Sequence, residues 1–174
     1  MADKKKKGRC YLVGAGPGAL GLVTLRARQL VERAEVLVYD YLCNPEMLAW
    51  APEKAEIIYA GKKAGAHTLK QAEINALLVE KTGAGLEVVR LKGGDPFLFG
   101  RGGEEALALA EAKLAFEVVP GVTSAIPAPA YDGIPVPQRD PPPHVTVFTG
   151  SEDPAKTDSR NDMRARARWA RAQS

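Results

Sequence analysis

Short apolar runs alternate with segments of helical periodicity through the first 131 residues. The apolar runs are rich in β-branched residues and leucine, which is typical of strands buried in a sheet. The predicted strands are Cys10–Val13, Glu35–Tyr39, Glu56–Tyr59, Glu87–Lys92 and Phe116–Val119. The segments between them predict helices at Val23–Arg33, from Asn44-Pro45 through Leu48, after a capping box at Thr68 and Gln71 to about Thr82-Gly83, at Glu104–Lys113 and in a short piece up to Tyr131.

Each long helical segment carries apolar residues at the spacing of one helix face. Thr68 and Gln71 have the spacing of a capping box, which predicts the start of the helix that follows. The residues expected to face the sheet are Leu22, Leu25 and Leu30, then Ile74, Leu77 and Leu78, and finally Leu107, Ala110 and Leu114.

Strands that alternate with helices through five rounds predict an α/β fold: a three-layer, mostly parallel sheet. We predict a disordered basic tail over residues 1–8, an α/β domain over 9–131 and a proline-rich linker over 132–143. Residues 144–174 are interpreted as the incomplete start of a second α/β domain, with one strand at His144–Gly150 and a disordered, Arg-rich tail from residue 155.

Composition excludes several classes of function. A net charge of +3 over 174 residues is too small to indicate nucleic-acid binding, and its basic clusters lie near the two ends. No stretch of 18 apolar residues predicts a membrane span, and the N-terminus lacks the pattern of a signal peptide. Cys10 and Cys43 have no metal-ligand spacing, so we expect two unpaired packing thiols, no bound metal and a reducing cytoplasm.

Two glycine clusters follow the fourth predicted strand. Gly93 and Gly94 precede Asp95, and a second cluster around Arg101 leads into a helix whose first turn is acidic. In an open α/β sheet, ligands bind beyond the carboxyl ends of the strands, where these loops are expected. Adjacent glycines let a ligand lie against bare backbone, so we predict a binding loop with Asp95 as a fixed carboxylate beside the ligand.

The loop after the first strand leaves two interpretations open. Gly14-x-Gly16-x-x-Ala19 fits a loose dinucleotide fingerprint, and Asp40 ends the next strand where a nicotinamide-dependent dehydrogenase would hold the ribose. Against this, Pro17 has no N–H for a pyrophosphate, and the first reliable helical residue falls at about Leu22, away from the phosphate position. The loop is suited to close approach of a ligand more than to holding an anion.

The motifs GAGPG, VYDYLCNPE, GKKAGAH, QAEIN, VVRLKGGDPFLFGRGGEE and VVPGVTSA occur in this order. With them the chain resembles the tetrapyrrole methylases from about Arg9 to Gly150, most closely those members that methylate uroporphyrinogen III on the branch to sirohaem and cobalamin. The resemblance implies two α/β domains with S-adenosylmethionine (SAM) between them, a homodimer, and two successive methylations of ring carbons.

The resemblance also implies roles for individual residues. Asp40 matches the position of the proton acceptor and Lys62 that of the proton donor. The residues at SAM-contacting positions are Pro17, Gly93, Gly94, Asp95, Leu98, Thr123 and Ser124. Because the substrate carries eight carboxylates, a basic rim is expected, with Lys62, Lys63, Arg101, Arg139 and His67 as candidates.

The sequence departs from the family pattern in three respects. Ala19 replaces a common acidic residue, and the segment Ile134–Arg139 lacks the Thr and His of the usual IPxTHR motif. About the last third of a family member, which forms most of the second domain, is not matched. A truncated gene product, with weak or no SAM binding, is therefore an alternative expectation to an active methyltransferase.

Overall fold

The computed structural model describes residues 7–61, 69–136 and 145–149 of the chain. Its strands are β1 (Arg9–Gly14), β2 (Val36–Tyr39), β3 (Glu56–Tyr59), β4 (Glu87–Lys92) and β5 (Ala115–Val119). They form one sheet in the order β3-β2-β4-β1-β5, and all four neighbouring pairs are parallel. All five predicted strands are present to within one or two residues, and the predicted α/β class is confirmed.

The helices are α1 (Leu25–Val31), α2 (Gln71–Gly83), α3 (Gly102–Glu111) and α4 (Pro127–Tyr131), and 3₁₀ turns cover Leu20–Leu22 and Pro45–Trp50. One face of the sheet packs against α1 and the second 3₁₀ turn, with Leu30 and Met47 buried there. The opposite face packs against α2 and α3 through residues such as Leu78 and Leu109. Side chains alternate between these two faces along each strand, which produces the predicted three layers.

The first helix begins later than predicted. The Thr24 hydroxyl accepts a hydrogen bond from the backbone N–H of Ala27 at 3.1 Å and so caps the helix at Leu25 rather than at Val23. Leu30 is buried as expected, but the expectation that Leu25 faces the sheet is wrong, because its side chain is 80% exposed. The buried face of α1 is formed by Ala27, Leu30 and Val31, and Leu25, two residues before Ala27, lies on the other side of the helix.

The face predicted for α3 is also wrong at two of its three positions. Leu107 is 60% exposed and Ala110 is exposed, whereas Leu114 packs against the core as predicted. The cause is the start of the helix: a Cβ on Gly102 would lie 2.9 Å from the backbone carbon of Pro96, so this side of the first turn must face inward. The buried positions of α3 are Gly102, Glu105, Ala106 and Leu109.

The second long helix starts close to the predicted place with a different cap. Its N-cap residue is Lys70, whose backbone N–H donates to the carboxylate of Glu73, so the predicted capping box at Thr68 and Gln71 is wrong in register. Thr68 itself lies outside the described residues. The predicted apolar face is correct, since Ile74 and Leu78 are buried and Leu77 packs beside them.

The chain divides into two compact units after Pro127. In the second unit, residues 145–149 adopt no regular structure, so the strand predicted there is wrong for these residues. Parts of three predicted segments lie outside the described residues: residues 1–6 of the basic tail, residues 137–143 of the linker and all of the Arg-rich tail at 155–174. The domain boundaries therefore stay predictions. Within the described ranges, no helix has the length and apolar character needed to cross a membrane.

Three loops touch through their backbones at the carboxyl edge of the sheet. The N–H of Gly94, after β4, donates to the carbonyl of Gly16, after β1, at 2.8 Å, and the reverse bond measures 3.2 Å. A Cβ on Gly121, after β5, would lie 2.6 Å from the Cα of Gly14 and would also overlap the carbonyl oxygen of Gly94. The glycines are thus needed because backbone packs directly on backbone.

We expect both cysteines to be unreactive in the folded protein. Burial raises the pKa of the Cys10 and Cys43 thiols to about 12. At pH 8 only about one thiol in ten thousand is then ionised, and the thiolate is the reactive form. Iodoacetamide followed by mass spectrometry should show negligible labelling of native protein and labelling of both thiols in guanidinium chloride. Rapid labelling of either thiol under native conditions would contradict this.

The contact between the three loops predicts that Gly121→Ala is destabilising. The added methyl group overlaps backbone that has no free rotamer with which to relieve the clash, so we expect the free energy of unfolding to fall by about 1–3 kcal/mol. Gly103→Ala is the matched control, because a Cβ there meets nothing within 4 Å. Urea unfolding measures the free energy of unfolding of both variants. Equal stability of the two would refute the interpretation that Gly121 is needed for the backbone contact.

Candidate functional site

The order of the strands indicates where a ligand would lie. The chain leaves β1 towards α1 on one face of the sheet, whereas it leaves the neighbouring β4 towards α3 on the other face. The loops after these two strands join at Gly16 and Gly94 and then diverge towards opposite faces of the sheet, which leaves a crevice beyond this contact. In open α/β sheets this crevice, beyond the carboxyl ends of the strands, is where ligands bind.

Asp95 ties two of the loops together. One carboxylate oxygen accepts hydrogen bonds from the backbone N–H groups of Phe97 and Leu98, at 2.8 and 3.2 Å. The other oxygen accepts from the N–H of Gly121 at 3.1 Å. Both oxygens are therefore engaged by the protein's own backbone. The carboxylate predicted to stand beside a ligand instead holds the shape of the loop against which a ligand could lie.

Four of the predicted SAM-contacting residues come together around this contact. Gly94 bonds to Gly16, the neighbour of Pro17. A Cβ on Gly94 would be 3.9 Å from the Cα of Thr123, so the loops after β1, β4 and β5 meet within van der Waals range. Asp95 follows Gly94 directly. Pro17, Gly94, Asp95 and Thr123 are all half-buried, which leaves part of each accessible from the crevice.

The other predicted SAM-contacting residues differ in exposure. Leu98 is 37% exposed, and Ser124 is also exposed. Gly93 lies beneath Leu42, since a Cβ there would stand 2.5 Å from the Leu42 Cβ. Open backbone is instead found at Gly18, where the left-handed φ of 112° favours glycine and a Cβ would meet nothing within 4 Å.

A cavity of about 350 Å³ opens beside these loops, at the ends of β2, β3 and β4. Its wall includes Asp40, the predicted proton acceptor, and Arg101, one of the predicted rim residues. Its base contains two basic residues, Arg90 and Lys92, each only 3% exposed. The predicted proton donor Lys62 and the rim candidates Lys63, His67 and Arg139 lie outside the described residues.

The carboxylate of Asp40 is held at both oxygens. Oδ2 accepts from the guanidinium of Arg90 at 3.2 Å. Oδ1 accepts from the backbone N–H of Leu42 at 3.1 Å and from the thiol of Cys43 at 3.6 Å. With 19% of the side chain exposed, Asp40 combines a fixed orientation with access to the cavity.

Glu105, on α3, is the fully buried centre of this group of charges. Its Oε1 accepts from Arg90 Nε at 3.1 Å, from Lys92 Nζ at 2.9 Å and from Gln71 Nε2 at 3.4 Å. Among the described residues, nothing donates to its Oε2. Burial and the adjacent guanidinium lower the pKa of Lys92, and Glu105 opposes this shift. The arrangement can therefore hold positive charge at the base of the cavity.

The sequence analysis missed Arg90, Lys92 and Glu105 as a unit. Arg90 and Lys92 lie in a predicted buried strand and Glu105 lies in the acidic first turn of a predicted helix, and none of the three was predicted as a site residue. Two signals could have found them. Arg90 and Lys92 are two residues apart in a buried strand and so share a face, and Glu105 lies three residues after Gly102, on the same side of the helix.

The geometry disfavours the dinucleotide interpretation of the first loop. A 3₁₀ turn at Leu20–Leu22 separates the glycine loop from α1, which begins only at Leu25. The N-terminus of α1 therefore does not adjoin Gly14 or Gly16, as binding of a pyrophosphate at a helix N-terminus requires.

The sequence matches a family described as Tetrapyrrole (Corrin/Porphyrin) Methylases over residues 9–173. It is 54% identical to the S-adenosyl-L-methionine-dependent uroporphyrinogen III methyltransferase of Methanosarcina barkeri, over 93% of this chain and 64% of that protein. It is 52% identical to a uroporphyrinogen-III C-methyltransferase of Bacillus subtilis, over 82% of this chain and 56% of that protein. These names give the dehydrogenase hypothesis no support.

The fold is similar to that of solved methyltransferases. A uroporphyrin-III C-methyltransferase from Thermus thermophilus, complexed with S-adenosylhomocysteine, matches with a TM-score of 0.65 and 48% identity over 76% of this chain and 55% of that one. The cobalt precorrin-4 methyltransferase matches with a TM-score of 0.64 and 30% identity over 74% and 52%. The chain thus spans a little over half the length of these relatives. From its match over residues 9–173 and its similarity to these enzymes, the chain belongs to the tetrapyrrole methylase family.

Proposed function

We propose that the protein takes part in SAM-dependent C-methylation of uroporphyrinogen III to precorrin-2, on the route to sirohaem and cobalamin. The observation that carries the proposal is the crevice beyond the joined loops of Gly16, Gly94 and Thr123, with a cavity beside it that exposes Asp40. A crevice for the methyl donor next to a cavity for the acceptor is the arrangement that methyl transfer needs, because the two reacting atoms must meet in line.

We assign the donor to the crevice. Pro17, Gly93, Gly94, Asp95, Leu98, Thr123 and Ser124 are the residues proposed to hold SAM, which supplies an activated sulfonium methyl group. The open backbone at Gly18 and the half-buried loops fit a ligand that lies flat against main chain. Asp95 contributes by fixing the loop through Phe97, Leu98 and Gly121, not through a free oxygen.

Asp40 is the proposed proton acceptor. A pyrrole carbon that gains a methyl group must lose a proton, and a carboxylate at the cavity wall can accept it and can stabilise the positive charge that develops on the ring. The hydrogen bonds from Arg90 and from Leu42 N–H fix the orientation of this carboxylate. Lys62 is proposed as the proton donor from the same family pattern, and it lies outside the described residues.

The base of the cavity suits an acidic substrate. Arg90 and Lys92 line it, each paired with a carboxylate of the protein, and Arg101 is exposed at its edge, so basic side chains lie where a macrocycle with eight carboxylates is proposed to bind. The proposed basic rim consists of Arg101 and, from the family pattern, of Lys62, Lys63, Arg139 and His67. Of these residues, Arg101 lies within the described part of the chain. Its guanidinium pairs with Glu104 at 2.7 Å, and this exposed pair could open at little cost.

The working unit is proposed to be a homodimer in the cytoplasm that binds neither nucleic acid nor membrane. The chain spans 64% and 56% of two relatives, so a complete donor site is proposed to need the remaining part of the fold. Enclosure of a ligand from one side only gives weak binding. A fragment that binds SAM weakly or not at all is the second candidate, favoured by this partial coverage.

Titration calorimetry with SAM, S-adenosylhomocysteine and NAD separates the candidates. Binding of the first two and not of NAD supports the methyltransferase, whereas binding of NAD alone would support a dehydrogenase. Absence of any binding supports the fragment. Incubation with SAM and uroporphyrinogen III should then give a red-fluorescent methylated product, and a chain that binds SAM without forming this product would contradict the proposed substrate.

Asp40→Asn is expected to lower kcat by about 10²- to 10⁴-fold, because the amide cannot accept the ring proton. The affinity for S-adenosylhomocysteine should stay unchanged, since Asp40 lies in the cavity wall and not in the glycine crevice. Glu53→Gln, at an exposed turn, is the control for loss of one acidic charge. Full activity of Asp40→Asn would remove Asp40 from the mechanism, whatever the outcome of the binding assays.

A further inference from the structure

We propose that Glu105 is a positioning residue for Asp40 and acts through Arg90. This inference rests on the proposed function of Asp40 as proton acceptor. Glu105 lies on α3, on the inner side of the cavity base, and does not itself line the cavity. Its influence on the reaction must therefore pass through a side chain that it holds.

Arg90 connects the two carboxylates. Its Nε donates to Glu105 at 3.1 Å, while a terminal nitrogen of the same guanidinium donates to Asp40 at 3.2 Å. The guanidinium is planar and rigid, so a bond at Nε fixes the direction of the other N–H groups. The remaining nitrogen, Nη1, donates to the Leu91 carbonyl at 3.1 Å, so Glu105 and this carbonyl together determine the position of the donor to Asp40.

Burial makes this connection stiff. The side chains of Arg90 and Lys92 are 4% exposed and that of Glu105 is 0% exposed, so water cannot replace a lost partner at low cost. Lys92 donates to the same oxygen of Glu105 and supplies the second positive charge. Two acids and two bases then balance in the group formed by Asp40, Glu105, Arg90 and Lys92.

The other oxygen of Asp40 is held by the N–H of Leu42, within its own loop. The Cys43 thiol donates to the same oxygen at 3.6 Å, so this oxygen has two local constraints and the other has one that originates in α3. Removal of the constraint from α3 leaves the loop bonds in place but lets the carboxylate rotate about them. A displacement of the base by about 1 Å can lower the rate by as much as about 10²-fold. The geometry therefore links the register of α3 to the orientation of the base.

The test begins with the amide resonance of Leu42, which reports on the Asp40 carboxylate and requires no catalysis. We expect this ¹H–¹⁵N resonance to shift in Glu105→Gln, where a neutral amide accepts a weaker hydrogen bond from Arg90 Nε, and in Arg90→Lys, where the guanidinium is lost. The Gly121 amide, which donates to Asp95 in the crevice, should keep its position. Glu111→Gln is the matched control on the same helix, exposed at its end, and should move neither resonance.

Folding is checked in the same spectra. Loss of the native Gly121 resonance in Glu105→Gln would report unfolding. In that case Glu105→Asp, which keeps the charge and shortens the side chain by one methylene, replaces it, and its Leu42 and Gly121 resonances are compared with those of Arg90→Lys. A Leu42 resonance that stays at its wild-type position in the folded variants overturns the inference.

Kinetics provide the second measurement. In the active protein Glu105→Gln should lower kcat by about ten- to a hundred-fold, with the KM for SAM and the affinity for S-adenosylhomocysteine unchanged. Loss of activity in Asp40→Asn together with full activity in Glu105→Gln would overturn the inference and leave the proposed function intact. Absence of methyl transfer in the wild type would count against the proposed function alone, because the Leu42 resonance still decides the role of Glu105.

Discussion

Direct contact between backbones at the carboxyl edge of the sheet is the constraint on which the site depends. Gly14, Gly94 and Gly121 occupy the space that side chains would otherwise need, so the loops after β1, β4 and β5 can join without anything between them. The carboxylate of Asp95 fixes the junction from one side. A crevice whose wall is main chain has few rotamers to reorganise when a ligand binds, and less entropy is lost on binding.

The group of buried charges places a different demand on the fold. Removal of water from Glu105, Arg90 and Lys92 costs several kcal/mol for each ion, and the hydrogen bonds among them offset that cost only while all partners remain. An apolar core at the same place would be about as stable, so stability alone does not explain the buried charges. They lie directly beneath the cavity that exposes Asp40. We attribute its presence to control of geometry at that cavity.

Periodicity in the sequence was sufficient for the strands, the class of the fold and most of the helices, because alternation of short apolar runs with helices leaves few other topologies. It did not predict the face of α3, since Leu107 is more apolar than Glu105 yet is the exposed residue of the two. Pattern analysis assigns charge to the surface, and only the pairing with Arg90 and Lys92 reverses that assignment. The role of Asp95 in holding the loops together was missed for a related reason. Its partners are backbone N–H groups such as that of Gly121, and the sequence does not show which backbone groups a side chain will contact.

The position of β1 at the interior of the sheet also bears on how the chain reaches its native state. Arg9 pairs with Glu87 on one side and with Ala115 on the other, so β1 has no neighbour in the sheet until β4 and β5 have been synthesised. Loop closure over such separations is slow. During that interval the apolar run from Cys10 to Val13 is open to unwanted association, and we expect efficient biosynthesis to depend on chaperones that shield nascent N-termini.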